Sequence, residues 1–360
     1  MSPPEATSGT PPTSHTIESE ALSQWLSDNL KGFSGPLTVE KFSGGQSNPT
    51  YKLVTPTQSY VMRSKPGPAA KLLPSAHAIE REYAVMSGLY GTDVPVAKMY
   101  ALCEDEAVIG RAFYVMEYVP GRVLWDQTLP GMTPSERAAI YDEMNRVIAA
   151  LHTVKFTERG LANYGKPGNY VERQIGRWSK QYQASVTQPI AEMDRLIEWL
   201  PANIPASAKD DSLVSIVHGD YRLDNLMFDP EQPRVLAVLD WELSTLGHPL
   251  ADFAYHCMSW HIPNAAFRGI GDADIKSLGI PAEHEYIRLY CERTGFSTPE
   301  ALAPDWNFYL AYNMFRIAAI LQGIAKRVEA GTASSDEARA NGAQARPMAE
   351  LAWKFAQKAV

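Results

Sequence analysis

Residues 215–228 read Ser215-Ile216-Val217-His218-Gly219-Asp220-Tyr221-Arg222-Leu223-Asp224-Asn225-Leu226-Met227-Phe228. An apolar run delivers a polar loop, and a second apolar run leaves it. Asp220 and Asn225 lie five positions apart, and Asp240 follows fifteen residues later at the end of the apolar run Val235–Leu239. Leu213–Val217, in which Ser215 is the one polar member, and Val235–Leu239 are too short for helices and rich in β-branched residues. They read as buried strands. Polar residues at the ends of buried strands face a site more often than a core, because burying them unpaired costs roughly 1–3 kcal/mol each.

Phosphoryl transfer needs such a set. One carboxylate orients an attacking hydroxyl and accepts its proton, while an amide oxygen and a second carboxylate suit magnesium, whose ligands are hard oxygens. Protein kinases order these groups as a base Asp, a basic residue, a metal-binding Asn and a second metal-binding Asp after a short hairpin. Asp220, Arg222, Asn225 and Asp240 fall in that order.

Outward from this centre, the chain before it alternates strand and helix patterns. Ile17–Leu30 has helical apolar spacing, and Leu37–Phe42, Tyr51–Val54 and Ser59–Ser64 read as strands. Ser43-Gly44-Gly45-Gln46-Ser47-Asn48 joins the first two of these as a glycine hairpin. A helix over Ala76–Tyr90 and strands over Lys98–Cys103 and Ala112–Val119 follow, and Pro120-Gly121 then breaks the pattern. Beyond it helices dominate: Pro134–Val154, with Thr133-Pro134 as its start, then Tyr170–Val186, Pro189–Leu200, Pro249–Trp260, Ala282–Thr294, Trp306–Ala330 and Asp336–Lys358.

The 360 residues are enough for two lobes. The net charge of -8 argues against a nucleic-acid partner. Cys103, Cys257 and Cys291 form no CxxC pair, so a reducing, cytoplasmic setting is the simplest expectation. No apolar run has the roughly 20 residues that span a bilayer. Met1–Thr16, rich in Pro, Ser and Thr, reads as a disordered tail rather than a secretory signal.

The run His218–Asn225, followed by Leu239-Asp240-Trp241-Glu242, resembles the catalytic core of the aminoglycoside phosphotransferase (choline-kinase-like) superfamily. The longer string Val238–Asp252 is similar to one branch of it. That branch includes bacterial phosphotransferase-like proteins and the kinase-like domains fused to certain animal acyl-CoA dehydrogenases. The resemblance spans the chain from about Phe42 to the C-terminal helices. It implies an α+β, bilobal protein-kinase-like fold. A small antiparallel-sheet lobe with one main helix (17–119) would bind nucleotide, and a larger, mostly helical lobe (120–360) would carry catalysis and the acceptor.

It also implies roles for particular residues. Asp220 would be the catalytic base, Arg222 would sit near the transferred phosphate, and Asn225 and Asp240 would bind Mg2+. His218 and Asp252 would brace the loop. Gly44, Gly45, Ser47 and Asn48 would cover the phosphates of ATP. Arg63, or Lys65 on the same strand face, would replace the usual phosphate-binding lysine. Glu82 would pair with Arg63, with Glu80 as the alternative. The backbone of Glu117–Val119 would meet the adenine. The acceptor would be a small-molecule hydroxyl, with Tyr312 and Arg316 beside it. No carboxylate cluster suited to a polycationic aminoglycoside is evident, and the branch's link to acyl-CoA metabolism points to a hydroxyl on an acyl-CoA or related acid. Two rival readings are a non-catalytic nucleotide-binding module and a metal-dependent hydrolase built on His218, Asp220, Asp240, Asp252, His256 and His261.

Overall fold

The structure is a computed structural model and describes residues 17, 19–42, 48–66, 78–333 and 335–359. The expected tail over 1–16, Gly44, Gly45 and Ser47 of the glycine hairpin, and the expected helix start at 76–77 lie outside these residues. The chain divides into two compact units. One comprises the residues up to Tyr83 together with Lys98–Tyr118, and the other Ala84–Ala97 and Val119–Val360. The sequence placed Ala84–Ala97 within 17–119, whereas it groups with the larger unit. There the Val238 N–H donates to the Pro95 carbonyl at 2.8 Å, and Arg159 Nε donates to the Gly88 carbonyl at 2.7 Å.

The smaller unit starts with α1 (Ser19–Asn29) and continues with β1 (Thr38–Lys41), β2 (Thr50–Val54) and β3 (Ser59–Ser64). It then takes in the first residues of α2 (Ile79–Leu89), β4 (Met99–Cys103) and β5 (Phe113–Glu117). The strands form one antiparallel sheet in the order β1-β2-β3-β5-β4. Side chains alternate across a strand, so Tyr51 and Leu53, Tyr60 and Met62, and Phe113 and Val115 share one face. Leu22, Leu26 and Leu30, spaced four apart along α1 and just past its end, pack on that face.

The larger unit contains β6 (Arg122–Val123), α3 (Pro134–Thr153), α4 (Tyr170–Ser185) and α5 (Ala191–Ala202). Next come the short strands β7 (Ser215–Val217), β8 (Leu226–Phe228), β9 (Val235–Val238) and β10 (Thr245–Gly247). The remainder is helical: α6 (Pro249–Cys257), α7 (Asn264–Phe267), α8 (Ile275–Leu278), α9 (Glu283–Thr294), α10 (Pro299–Glu329), α11 (Asp336–Ala343) and α12 (Ala345–Lys358). α3 begins where Thr133-Pro134 predicts. Thr133 Oγ1 accepts the Glu136 N–H at 3.3 Å, and the Glu136 carboxylate accepts the Thr133 N–H at 2.6 Å.

Two helices depart furthest from expectation. α10 starts at Pro299 rather than Trp306, because Thr298 caps it and Pro304 removes only the bond to the carbonyl four residues back. The expected helix over 336–358 is two helices. A continuous helix would drive the Pro347 ring into the carbonyl of Ala343, and α11 ends at Ala343 while α12 restarts at Ala345 with Pro347 in its first turn. The architecture is α+β, antiparallel sheet first and helices after, as the sequence implies. Among the described residues no helix is long and apolar enough to cross a membrane.

Candidate active site

The loop between β7 and β8 and the loop after β9 meet because of strand register. β7 pairs antiparallel with β10, and β8 with β9, with Leu226 opposite Val238. That register puts the Leu239 N–H on the Asn225 carbonyl at 2.8 Å. Asn225 and Asp240, distant in sequence, therefore become neighbours through one backbone bond. Asp240 has φ 61° and ψ 62°, the left-handed region that a non-glycine residue occupies at a cost.

Asp220 has a separate partner for each carboxylate oxygen. Asn225 Nδ2 donates to Oδ2 at 3.1 Å and to the Asp220 carbonyl at 2.8 Å. Tyr255 donates its hydroxyl to Oδ1, and Arg222 Nε lies 3.4 Å from the same atom. Arg222 also pairs with Asp224 at 2.9 Å, and Arg268 joins Asp224 at 2.8 Å. Burial alone would weaken the Arg222 charge, but the Asp220, Asp224 and Asp240 carboxylates raise its pKa above the ordinary guanidinium value. It is a fixed cation beside the carboxylates.

His218 ties the two loops together. Its Nδ1 accepts the Asp220 N–H at 3.2 Å, so Nε2 carries the proton that bonds the Leu239 carbonyl at 2.8 Å. Its ring packs on Trp241 at 5.0 Å between centroids. Gly219 has φ 83°, and a Cβ there would sit 2.9 Å from the Leu243 carbonyl oxygen. Only glycine fits that turn without a shift.

Asp252, in the first turn of α6, accepts the His218 N–H at 2.8 Å on Oδ2 and the Gly219 N–H at 2.9 Å on Oδ1. His152 Nε2 lies 3.1 Å from Oδ2, and His152 Nδ1 meets the Tyr290 hydroxyl at 2.6 Å. Burial pushes the Asp252 carboxyl up. The hydrogen bond from His152 and the His218 N–H outweigh it and hold the group below the usual carboxylate range.

Whether the residues fit magnesium can be judged from their donors. Both bonds of the Asn225 side chain use its nitrogen, which turns the amide oxygen to the other side. With the Asp240 carboxylate this gives two hard oxygen donors, the number a magnesium ion takes from protein when phosphates complete its shell. His256 and His261 are committed elsewhere, to the Tyr286 hydroxyl at 2.7 Å and the Glu283 carboxylate at 2.8 Å. Among the described residues no three His, Cys, Asp or Glu side chains converge as a metal cage.

The smaller unit holds its own polar cluster. Glu82, 2% exposed, takes Asn48 Nδ2 at 2.9 Å, the Tyr114 hydroxyl at 3.0 Å and Arg63 Nε at 3.1 Å. The two alternatives, Lys65 and Glu80, meet each other instead, at 3.2 Å. Asn48, expected at the phosphates, is buried against Glu82. The Glu117 N–H and carboxylate both engage the Lys98 backbone, at 2.8 and 3.2 Å, and Val119 is the residue at which the larger unit resumes.

The substrate pair differs from expectation. Tyr312 is fully buried within α10, and Arg316, 7% exposed, sends Nη2 to the Gly219 carbonyl at 2.6 Å. Arg316 is packed against the loop, Tyr312 is buried in the helical unit, and neither lies on an open acceptor face. The sequence reading missed Tyr255, Asp224, Arg268 and His152. Tyr255 stands three residues after Asp252, one helical turn along the same face, which is the pattern that marks it.

A family model for the phosphotransferase enzyme family matches residues 38–290. Mouse (Mus musculus) acyl-CoA dehydrogenase family member 10 is 47% identical over 345 residues, covering 95% of this chain and 31% of that protein. The chain thus spans about a third of that relative's length. A crystal structure from Ralstonia eutropha JMP134, described as a candidate aminoglycoside phosphotransferase, is 63% identical with a TM-score of 0.87, covering 95% of this chain and 99% of the other. The aminoglycoside phosphotransferase APH(4)-Ia, solved as a thermostable mutant in ternary complex with AMP-PNP and hygromycin B, shares the fold. Its TM-score is 0.60 at 14% identity, covering 93% of this chain and 98% of the other. By sequence and by fold, the chain belongs to the phosphotransferase enzyme family.

Proposed function

We propose that the chain moves the γ-phosphate of ATP to a hydroxyl of a small molecule. The observation that carries this reading is the junction of Asp220, Asn225 and Asp240, built by the Asn225–Asp220 and Leu239–Asn225 bonds beside the Arg222 cation.

In this reading the acceptor hydroxyl attacks the γ-phosphorus in line. The O–P bond to the acceptor forms as the bond to the ADP oxygen breaks, and the hydroxyl proton passes to Asp220. Positioning and charge neutralisation supply most of the rate, so Asp220 need not be a strong base. Arg222 offsets charge on the transferred group. Asn225 and Asp240 would hold magnesium, which would supply charge neutralisation at the phosphates. In the smaller unit Arg63, held by Glu82, is the proposed phosphate-contacting cation.

For the acceptor we propose a hydroxyl on an acyl-CoA or a related acid. The support is the relative named an acyl-CoA dehydrogenase family member, at 47% identity. The test is a panel of hydroxyacyl-CoAs, hydroxy acids, sugars, amino alcohols and aminoglycosides, scored by acceptor-dependent ADP release with magnesium. Hydroxyacyl-CoAs or hydroxy acids should give the largest kcat/KM. An aminoglycoside as best acceptor would overturn the acceptor class. ATP binding without turnover on any acceptor would favour the non-catalytic reading.

A further inference from the structure

α6 presents two side chains to the loop that carries Asp220. Asp252, in its first turn, accepts the backbone N–H groups of His218 and Gly219. Tyr255, three residues on and on the same helix face, donates its hydroxyl to Oδ1 of Asp220. The phenol is 2% exposed, so water hardly competes for this bond. Burial first, and the Asp220 charge second, keep the phenol protonated and hence a donor.

α10 completes the arrangement. The Arg316 guanidinium lies over the Tyr255 ring at 5.1 Å and donates to the Gly219 carbonyl at 2.6 Å. One arginine thus holds both the phenol and the residue preceding Asp220. A carboxylate on a loop otherwise rotates about its last torsion, which is broad. Here Tyr255 fixes one oxygen and Asn225 the other. The plane of Asp220 is set before any acceptor arrives, which is the condition for a hydroxyl to meet a lone pair without reorganisation.

We infer that Tyr255 is a positioning residue for the acceptor-orienting carboxylate, its hydroxyl setting the plane of Asp220 while Arg316 clamps the phenol to the loop. This rests on the phosphotransferase reading above. A Tyr255 that merely filled space would do its work with the ring alone, so Tyr255→Phe separates the two roles while preserving packing.

Two readouts decide it. In kinetics with the best acceptor, Tyr255→Phe should lower kcat about 10- to 100-fold, up to the roughly hundredfold cost of a 1 Å misplacement of a reacting group. KM for ATP should stay within about twofold, and the loss should disappear in an Asp220→Asn background, as for two residues acting through one interaction. Near-wild-type kcat in Tyr255→Phe, or a loss that multiplies with that of Asp220→Asn, overturns the proposal. The second readout needs no turnover. The Tyr255 hydroxyl proton should give a slowly exchanging, low-field NMR resonance that vanishes in Tyr255→Phe and moves in Asp220→Asn. Its absence from the wild type overturns the proposal whatever the kinetics show. A wild-type protein that turns over no acceptor would count instead against the phosphotransferase reading, leaving the resonance to decide whether Tyr255 holds Asp220.

Discussion

Asp220 has donors on both oxygens, while Asp240 holds a left-handed backbone. These two facts give different expectations on substitution. Asp220→Asn should lower turnover by about 100-fold or more while leaving Mg·ATP binding measurable by calorimetry. Near-full activity would remove it from the proposed role. Asp240→Gly relieves the backbone conformation and deletes the carboxylate. Its stability to urea should be unchanged or higher, while magnesium-dependent ATP affinity falls about tenfold or more. Full metal-dependent binding in that variant would contradict the assignment. Gly219→Ala combines φ 83° with a Cβ placed 2.9 Å from the Leu243 oxygen, so it should cost about 1–3 kcal/mol in urea denaturation.

At the scale of an element, α6 concentrates buried titratable groups. His248, just before it, gives Nε2 to the Ser207 carbonyl at 2.8 Å, and His256 meets the Tyr286 hydroxyl. Burial pushes each imidazole down to about 4 from an ordinary 6.5. In that window the unfolded chain binds more protons than the folded one, so the folded state loses stability as pH falls from about 6.5 towards 4. The loss is on the order of 3 kcal/mol per histidine, at about 1.4 kcal/mol per unit. Denaturation curves across this range should show it, and His256→Gln should flatten the slope; a slope unchanged by that substitution would remove His256 as a cause. Asp252 acts lower on the scale, its depressed carboxyl contributing stability that is lost only as pH falls below about 4.

The same helix shows what a sequence reveals and what it conceals. Asp220, Arg222, Asn225 and Asp240 were legible because strand ends, residue type and order all pointed to one chemistry. The Arg63–Glu82 meeting was expected from the family resemblance, and the structure pairs them. Tyr255 was not, since one Tyr in an apolar helix reads as core until the fold sets it against Asp220. Arg316 was misplaced because its partner, the Gly219 carbonyl, lies 97 residues away and no local pattern encodes it. The break before α12 could have been read from Pro347, which sits most readily in the first turn of a helix.

For the whole molecule, each unit carries an ion-paired arginine, Arg63 in the smaller and Arg222 in the larger, to which the proposed function gives an anionic nucleotide, against an overall charge of -8. Mg·ATP should therefore stabilise the protein by mass action, by about 2.7 kcal/mol at a hundredfold excess over Kd, read as a rise in Tm that magnesium chelation reduces. The most direct measurement follows γ-labelled ATP with magnesium and the best acceptor, for the wild type and Asp220→Asn side by side. Label should appear on the acceptor hydroxyl with the wild type, and about a hundredfold less of it with the variant. Label released only as inorganic phosphate, or transferred equally well by both proteins, would contradict it.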